Sequence, residues 1–149
     1  MSGLFRDANY RIVLGAPKFI GDVSKWHVSS VVNMGHMFMY ASSFNSDLSN
    51  WDVSKVTDMQ SMFNSASSFK SDISDWDVSK VNNMEAMFYF AESFNRDISK
   101  WDVSRVSNMY EMFKSASKFA QTLCGAWKAS KADQRDMFKD SPGKICEGI

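Results

Sequence analysis

The chain has 149 residues, 44% hydrophobic and 23% charged, with 17 basic and 17 acidic side chains. That neutral balance argues against nucleic acid and anionic membrane surfaces, both of which are bound through clustered cations. No apolar run approaches the ~20 residues of a membrane span, and the first residues lack a signal-peptide pattern.

Residues 1–18 read as a partial first repeat with an inserted loop. Met1, Leu4, Phe5 and Ala8 overlay Met34, Met37, Phe38 and Ala41, and the extra residues fall between Ala8 and Phe19. The chain therefore reads as a fragment of a longer protein, or as one whose first layer is completed by something else. Residues 19–118 form four units of 25 residues, marked by Trp26, Trp51, Trp76 and Trp101 and by Phe19, Phe44, Phe69, Phe94 and Phe119. Phe38, Phe63, Phe88, Phe113 and Phe138 keep the same spacing. Units of this kind have too few inward positions to form a core alone and must stack on their neighbours.

Within a unit two periods alternate. Met84, Met87, Phe88 and Ala91 follow i, i+3, i+4, i+7, the apolar stripe of a short helix, and Asn82 or Asn83 sits where an N-cap belongs. Ile73-x-x-Trp76-x-Val78 alternates like a short strand with its apolar side inward. The expected fold is α/β: a right-handed leucine-rich-repeat-like solenoid of about five coils, each a short strand plus a short helix.

The strand I-x-x-W-x-V is similar to the L-x-x-L-x-L core of leucine-rich repeats. The fuller pattern FNxDISxWDVSxVxxMxxMFxxASS resembles the BspA-like repeat of bacterial surface proteins, mycoplasma lipoproteins and algal proteins. The resemblance spans Phe19 to Phe119 and implies a surface or secreted setting with protein partners. Beyond it, residues 119–149 read as a degenerate capping repeat: Trp127 is displaced by one, Gln134 replaces the stripe Met, and Pro142-Gly143 ends the pattern. Cys124 and Cys146 both lie in this cap, where a disulfide or a pair of buried thiols would each fit. The resemblance favours the bridge, and with it an oxidising compartment. Only His27 and His36 are available to join them, without ligand spacing, so no metal site is expected.

Asp22, Asp47, Asp72 and Asp97 form one repeated row, and His27, Asp52, Asp77 and Asp102 another. Calcium or mineral binding is one reading of such rows; the other is that Asp-x-Ser pairs fold the chain by accepting turn N–H groups. No nucleophile–base arrangement or phosphate loop stands out from the repeats, so neither enzyme activity nor a cofactor is expected. Positions that vary among repeats are the candidates for recognition. They are Lys25, Asn50, Asp75 and Lys100 on the strand face, Tyr110 on the helix, and the residues after the second Phe of each unit: Met39-Tyr40 and Tyr89-Phe90, where the alternate units carry Asn64-Ser65 and Lys114-Ser115. The function expected is a non-enzymatic protein-binding or adhesion module. The alternatives are a structural subunit docking through the aromatic patch, with Met39 and Tyr40 otherwise packing beneath the inserted loop, and calcium or mineral binding.

Overall fold

A computed structural model describes residues 18–148. Its repeats stack, but their backbone differs from the expectation. Among the described residues, regular elements are confined to the last repeat: β1 (Thr122–Leu123), α1 (Ala126–Ala129) and β2 (Lys144–Ile145), with β1 and β2 paired in parallel. The chain is therefore not a five-coil α/β solenoid of the leucine-rich-repeat kind. Each layer is a string of tight turns.

The destination of the backbone N–H groups explains the correction. In an α-helix every interior N–H returns to the carbonyl four residues earlier. In the third repeat, Met84, Ala86, Phe88 and Phe90 instead donate across the stack to Asn108, Tyr110, Met112 and Lys114, at 2.8–3.0 Å. The residues between them close local turns: Met87 to Met84, Tyr89 to Ala86 and Ala91 to Phe88. A stripe at i, i+3, i+4, i+7 fits this geometry as well as a helix, and Met84, Met87, Phe88 and Ala91 are fully buried. So short a segment has little helical preference of its own, and the neighbouring layer offers its N–H groups better-placed partners.

The outer two of these turns, the first closed by Met87 and the second by Ala91, have positive φ at their third residue, the signature of type II geometry. His36, Ser61, Ala86, Glu111 and Asp136 supply it in the first turn, and Tyr40, Ser65, Phe90, Ser115 and Asp140 in the second, with φ between 50° and 64°. None is glycine. The left-handed region costs an L-residue about 1–2 kcal/mol, which the cross-stack hydrogen bonds offset.

The expected strand is likewise broken by turns. Asp72 Oδ1 accepts the N–H of Ser74, and Asp77 Oδ1 that of Ser79, each at 3.0 Å. Between these Asx turns the Trp76 N–H reaches the Ile73 carbonyl. Ile73, Trp76 and Val78 are nonetheless buried. The expected N-cap residues are reassigned too: Asn33, Asp58, Asn83, Asn108 and Asp133 form a row of parallel bridges, and each Oδ1 accepts the N–H two residues on.

Aromatic ladders fill the interior. Phe38, Phe63, Phe88 and Phe113 stack 5.4–5.7 Å apart, and each lies face to face with the next phenylalanine of its own chain path, as Phe63 does with Phe69 at 3.9 Å. Trp51 and Trp76 stack at 6.5 Å, Trp101 and Trp127 at 6.4 Å. The one-residue displacement of Trp127 is absorbed by α1, whose N-cap Gly125 turns the chain with φ 55°, so that Trp127 keeps its place in the ladder.

Candidate functional site

The repeats cover their apolar positions so completely that exposed large apolar groups stand out. Tyr40 and Phe90 are 54% and 40% exposed. Both occupy the left-handed corner of the second turn, a place filled elsewhere by Ser65, Ser115 and Asp140. A bulky residue at φ 64° or 51° is strained, and these two recover little of that cost by burial. Two repeats separate them, with the small, half-buried Ser65 between.

The flanking row supports these rings. Met39 is half-buried, its Sδ 3.3 Å from His36 Nδ1. Tyr89, also half-buried, meets Phe90 edge-on at 4.8 Å, and Lys114 Nζ lies 5.5 Å from its ring centre. Lys114 is paired with Glu111, whose carboxylate raises the lysine pKa by hydrogen bonding. Tyr110 belongs to a different arrangement: Arg135 covers its ring at 5.5 Å while bonding Asp133 through two nitrogens. This clamp holds Asp133 down to a pKa of about 2. The edge thus centres on Tyr40 and Phe90, with Met39 and Tyr89 beneath. The loop around Ile12 to Leu14, under which Met39 and Tyr40 could have packed, lies outside the described residues.

Lys25, Asn50, Asp75 and Lys100 are all exposed. Each sits at the third position of the turn closed by the following tryptophan N–H. They form a solvated row of mixed charge in the other half of the repeat.

The aspartates serve their own turns. Hydrogen bonds from Ser54, Ser74, Ser79 and Ser104 lower the pKa values of Asp52, Asp72, Asp77 and Asp102, with the serine side chain contributing most. Lys55, Lys80 and Arg105 add to this in the row of Asp52, Asp77 and Asp102. Asp47 is lowered by hydrogen bonds from Ser49, against which the like charges of Asp22 and Asp72 act. Among the described residues no three carboxylate, histidine or cysteine side chains gather as they would around a metal ion. Asp22 and Asp47 border a shallow cleft of about 370 Å³ with Ile20, Gly21 and Asn45.

Sequence reading passed over Ile20 and Val32, which are 79% and 53% exposed. The signal was available: Ile20 replaces Asn45, Lys70 and Asn95, and Val32 replaces Thr57, Asn82 and Ser107. Cys124 and Cys146, the expected bridge, are free thiols, one exposed and one half-buried. No helix among the described residues is long and apolar enough to cross a membrane.

Stacked turns, shared aromatic ladders and a 25-residue period define a repeat protein. A model of the family described as "Mycoplasma protein of unknown function, DUF285" matches residues 1–76 and again 48–144, and the chain belongs to this family. Comparison with curated proteins and with solved structures yields no match.

Proposed function

We propose that this chain is a non-enzymatic binding module whose protein partner docks on the Tyr40–Phe90 edge. One observation carries the reading: two large aromatic side chains are held exposed at strained backbone positions where the other repeats place Ser or Asp. A bulky side chain costs more at such a corner than Ser or Asp and here gains little by burial, and exposed Tyr, Phe and Met are enriched in protein interfaces. The resemblance to BspA-like repeats supports a surface or secreted setting. Docking into a larger assembly would use the same edge.

The test compares the intact chain with the double variant Tyr40→Ser/Phe90→Ser, which copies Ser65 and Ser115. Cross-linking in cells of the source organism is expected to join wild type to a defined partner and to lose it in the variant, with the melting temperature unchanged or higher. Equal cross-linking by both, or a variant that melts well below wild type, contradicts the proposal.

A further inference from the structure

The last repeat holds a feature independent of the aromatic edge. β1 and β2 pair with Thr122 opposite Lys144 and Leu123 opposite Ile145, which makes Cys124 and Cys146 the next pair in register. The ladder continues to them, because Cys146 N–H donates to the Leu123 carbonyl at 3.0 Å. In-register neighbours on paired strands lie about 5 Å apart, within the ~4.4–6.8 Å between Cα atoms that a disulfide spans. Hydrogen bonding with the Cys146 thiol is the main influence raising the Cys124 pKa, ahead of burial, while Lys128 opposes it. Cys124 is exposed, so a small oxidant can reach the pair.

We propose that Cys124 and Cys146 are a modification site, forming a reversible disulfide that clips the last repeat closed. The oxidant is a low-molecular-weight disulfide such as oxidised glutathione. The Cys124 thiol loses its proton and attacks one glutathione sulfur, releasing one glutathione thiolate and leaving a mixed disulfide. Cys146 then loses its proton and attacks the Cys124 sulfur, releasing the second glutathione. Two protein thiols are oxidised and one glutathione disulfide is reduced to two thiols. The closed loop contains α1 with buried Trp127, together with Met137, Phe138 and Gly143, and Trp127 and Phe138 stack on Trp101, Phe113 and Phe119 of the preceding layer. In a stack of repeats each layer contacts only its neighbours, so a single layer can open locally, and the clip opposes that opening.

The experiment treats the chain with oxidised glutathione at pH 8.5 and records intact mass and melting temperature against the reduced protein. The expected product is a monomer lacking two hydrogens, with no glutathione retained and a melting temperature higher by about 6–12 °C. Cys146→Ser should keep one glutathione and lose the shift. Wild type that stops at a glutathione adduct, cross-links into dimers, or closes the bridge without a thermal shift overturns the proposal. The wild-type comparison decides the matter even if the serine variant folds poorly.

Discussion

The indole Nε1–H of Trp76 donates to the main-chain carbonyl of Leu48 at 3.0 Å, one repeat back along the stack. Trp51 does the same to Val23, Trp101 to Ile73 and Trp127 to Ile98, all at 3.1–3.2 Å. The tryptophan therefore joins layers twice, through its ring and through its N–H. Trp76→Phe keeps an aromatic ring but removes this cross-layer hydrogen bond, leaving the Leu48 carbonyl only the Trp51 N–H of its own turn, and opens a void beside it. Urea unfolding is expected to show a loss of about 2–4 kcal/mol with an unchanged slope. A loss below about 0.5 kcal/mol would mean that this hydrogen bond does not tie the layers together.

Left-handed turn corners give a prediction of opposite sign. Ala86 has φ 50° in the middle of the stack, where glycine is free of the Cβ penalty. Ala86→Gly should stabilise the chain by about 0.5–1 kcal/mol, the relieved strain exceeding the added freedom of the unfolded chain. Were the segment a helix, the same change would destabilise it by about 1 kcal/mol. The sign of the shift in the urea midpoint decides.

Gly143 is required for a different reason. It is buried, and a Cβ there would come within 2.7 Å of Phe119 Cδ1 and 2.9 Å of Phe138 Cδ1. Both rings are stacked in the ladders. Gly143→Ala should cost about 1–3 kcal/mol through overpacking, with hydrogen exchange increasing first at Trp127 and Met137 in the last repeat.

Acid should weaken the turns together. Asp22, Asp47, Asp52, Asp72, Asp77, Asp97 and Asp102 all have pKa values below the ordinary 3.8 because they accept hydrogen bonds from the serine two residues on. Between the folded and unfolded values the folded chain binds fewer protons, so stability rises with pH through that window. The contribution is fully present above about pH 5 and is lost as pH falls through the folded values. Urea midpoints from pH 6 to pH 2.5 should fall mainly below pH 4. Asp77→Asn should shallow the fall, whereas Lys80→Gln should change it little.

Much of the interior was legible. The 25-residue period placed Trp51, Trp76, Trp101 and the phenylalanine rows in one buried ladder, and the Asp-x-Ser pairs announced their Asx turns. The backbone between these points was not legible. Met84, Met87, Phe88 and Ala91 are equally consistent with a helix and with linked turns, because both bring every third or fourth residue to one side. The distinction lies in cross-stack hydrogen bonds, to which a single repeat gives no clue. Nor do left-handed corners occupied by His36, Ser61, Ala86, Glu111 and Asp136 carry a residue signature. For the candidate site, comparing repeats found Tyr40 and Phe90. The strain that makes them informative came only with the backbone angles.

Solution NMR of the third repeat tests the turn-built stack most directly. Couplings and chemical shifts should give positive φ at Ala86 and Phe90, with through-space contacts from the amides of Met84 and Phe88 to the Asn108 and Met112 backbone. Unbroken helical shifts from Met84 to Ala91, without those contacts, would contradict it.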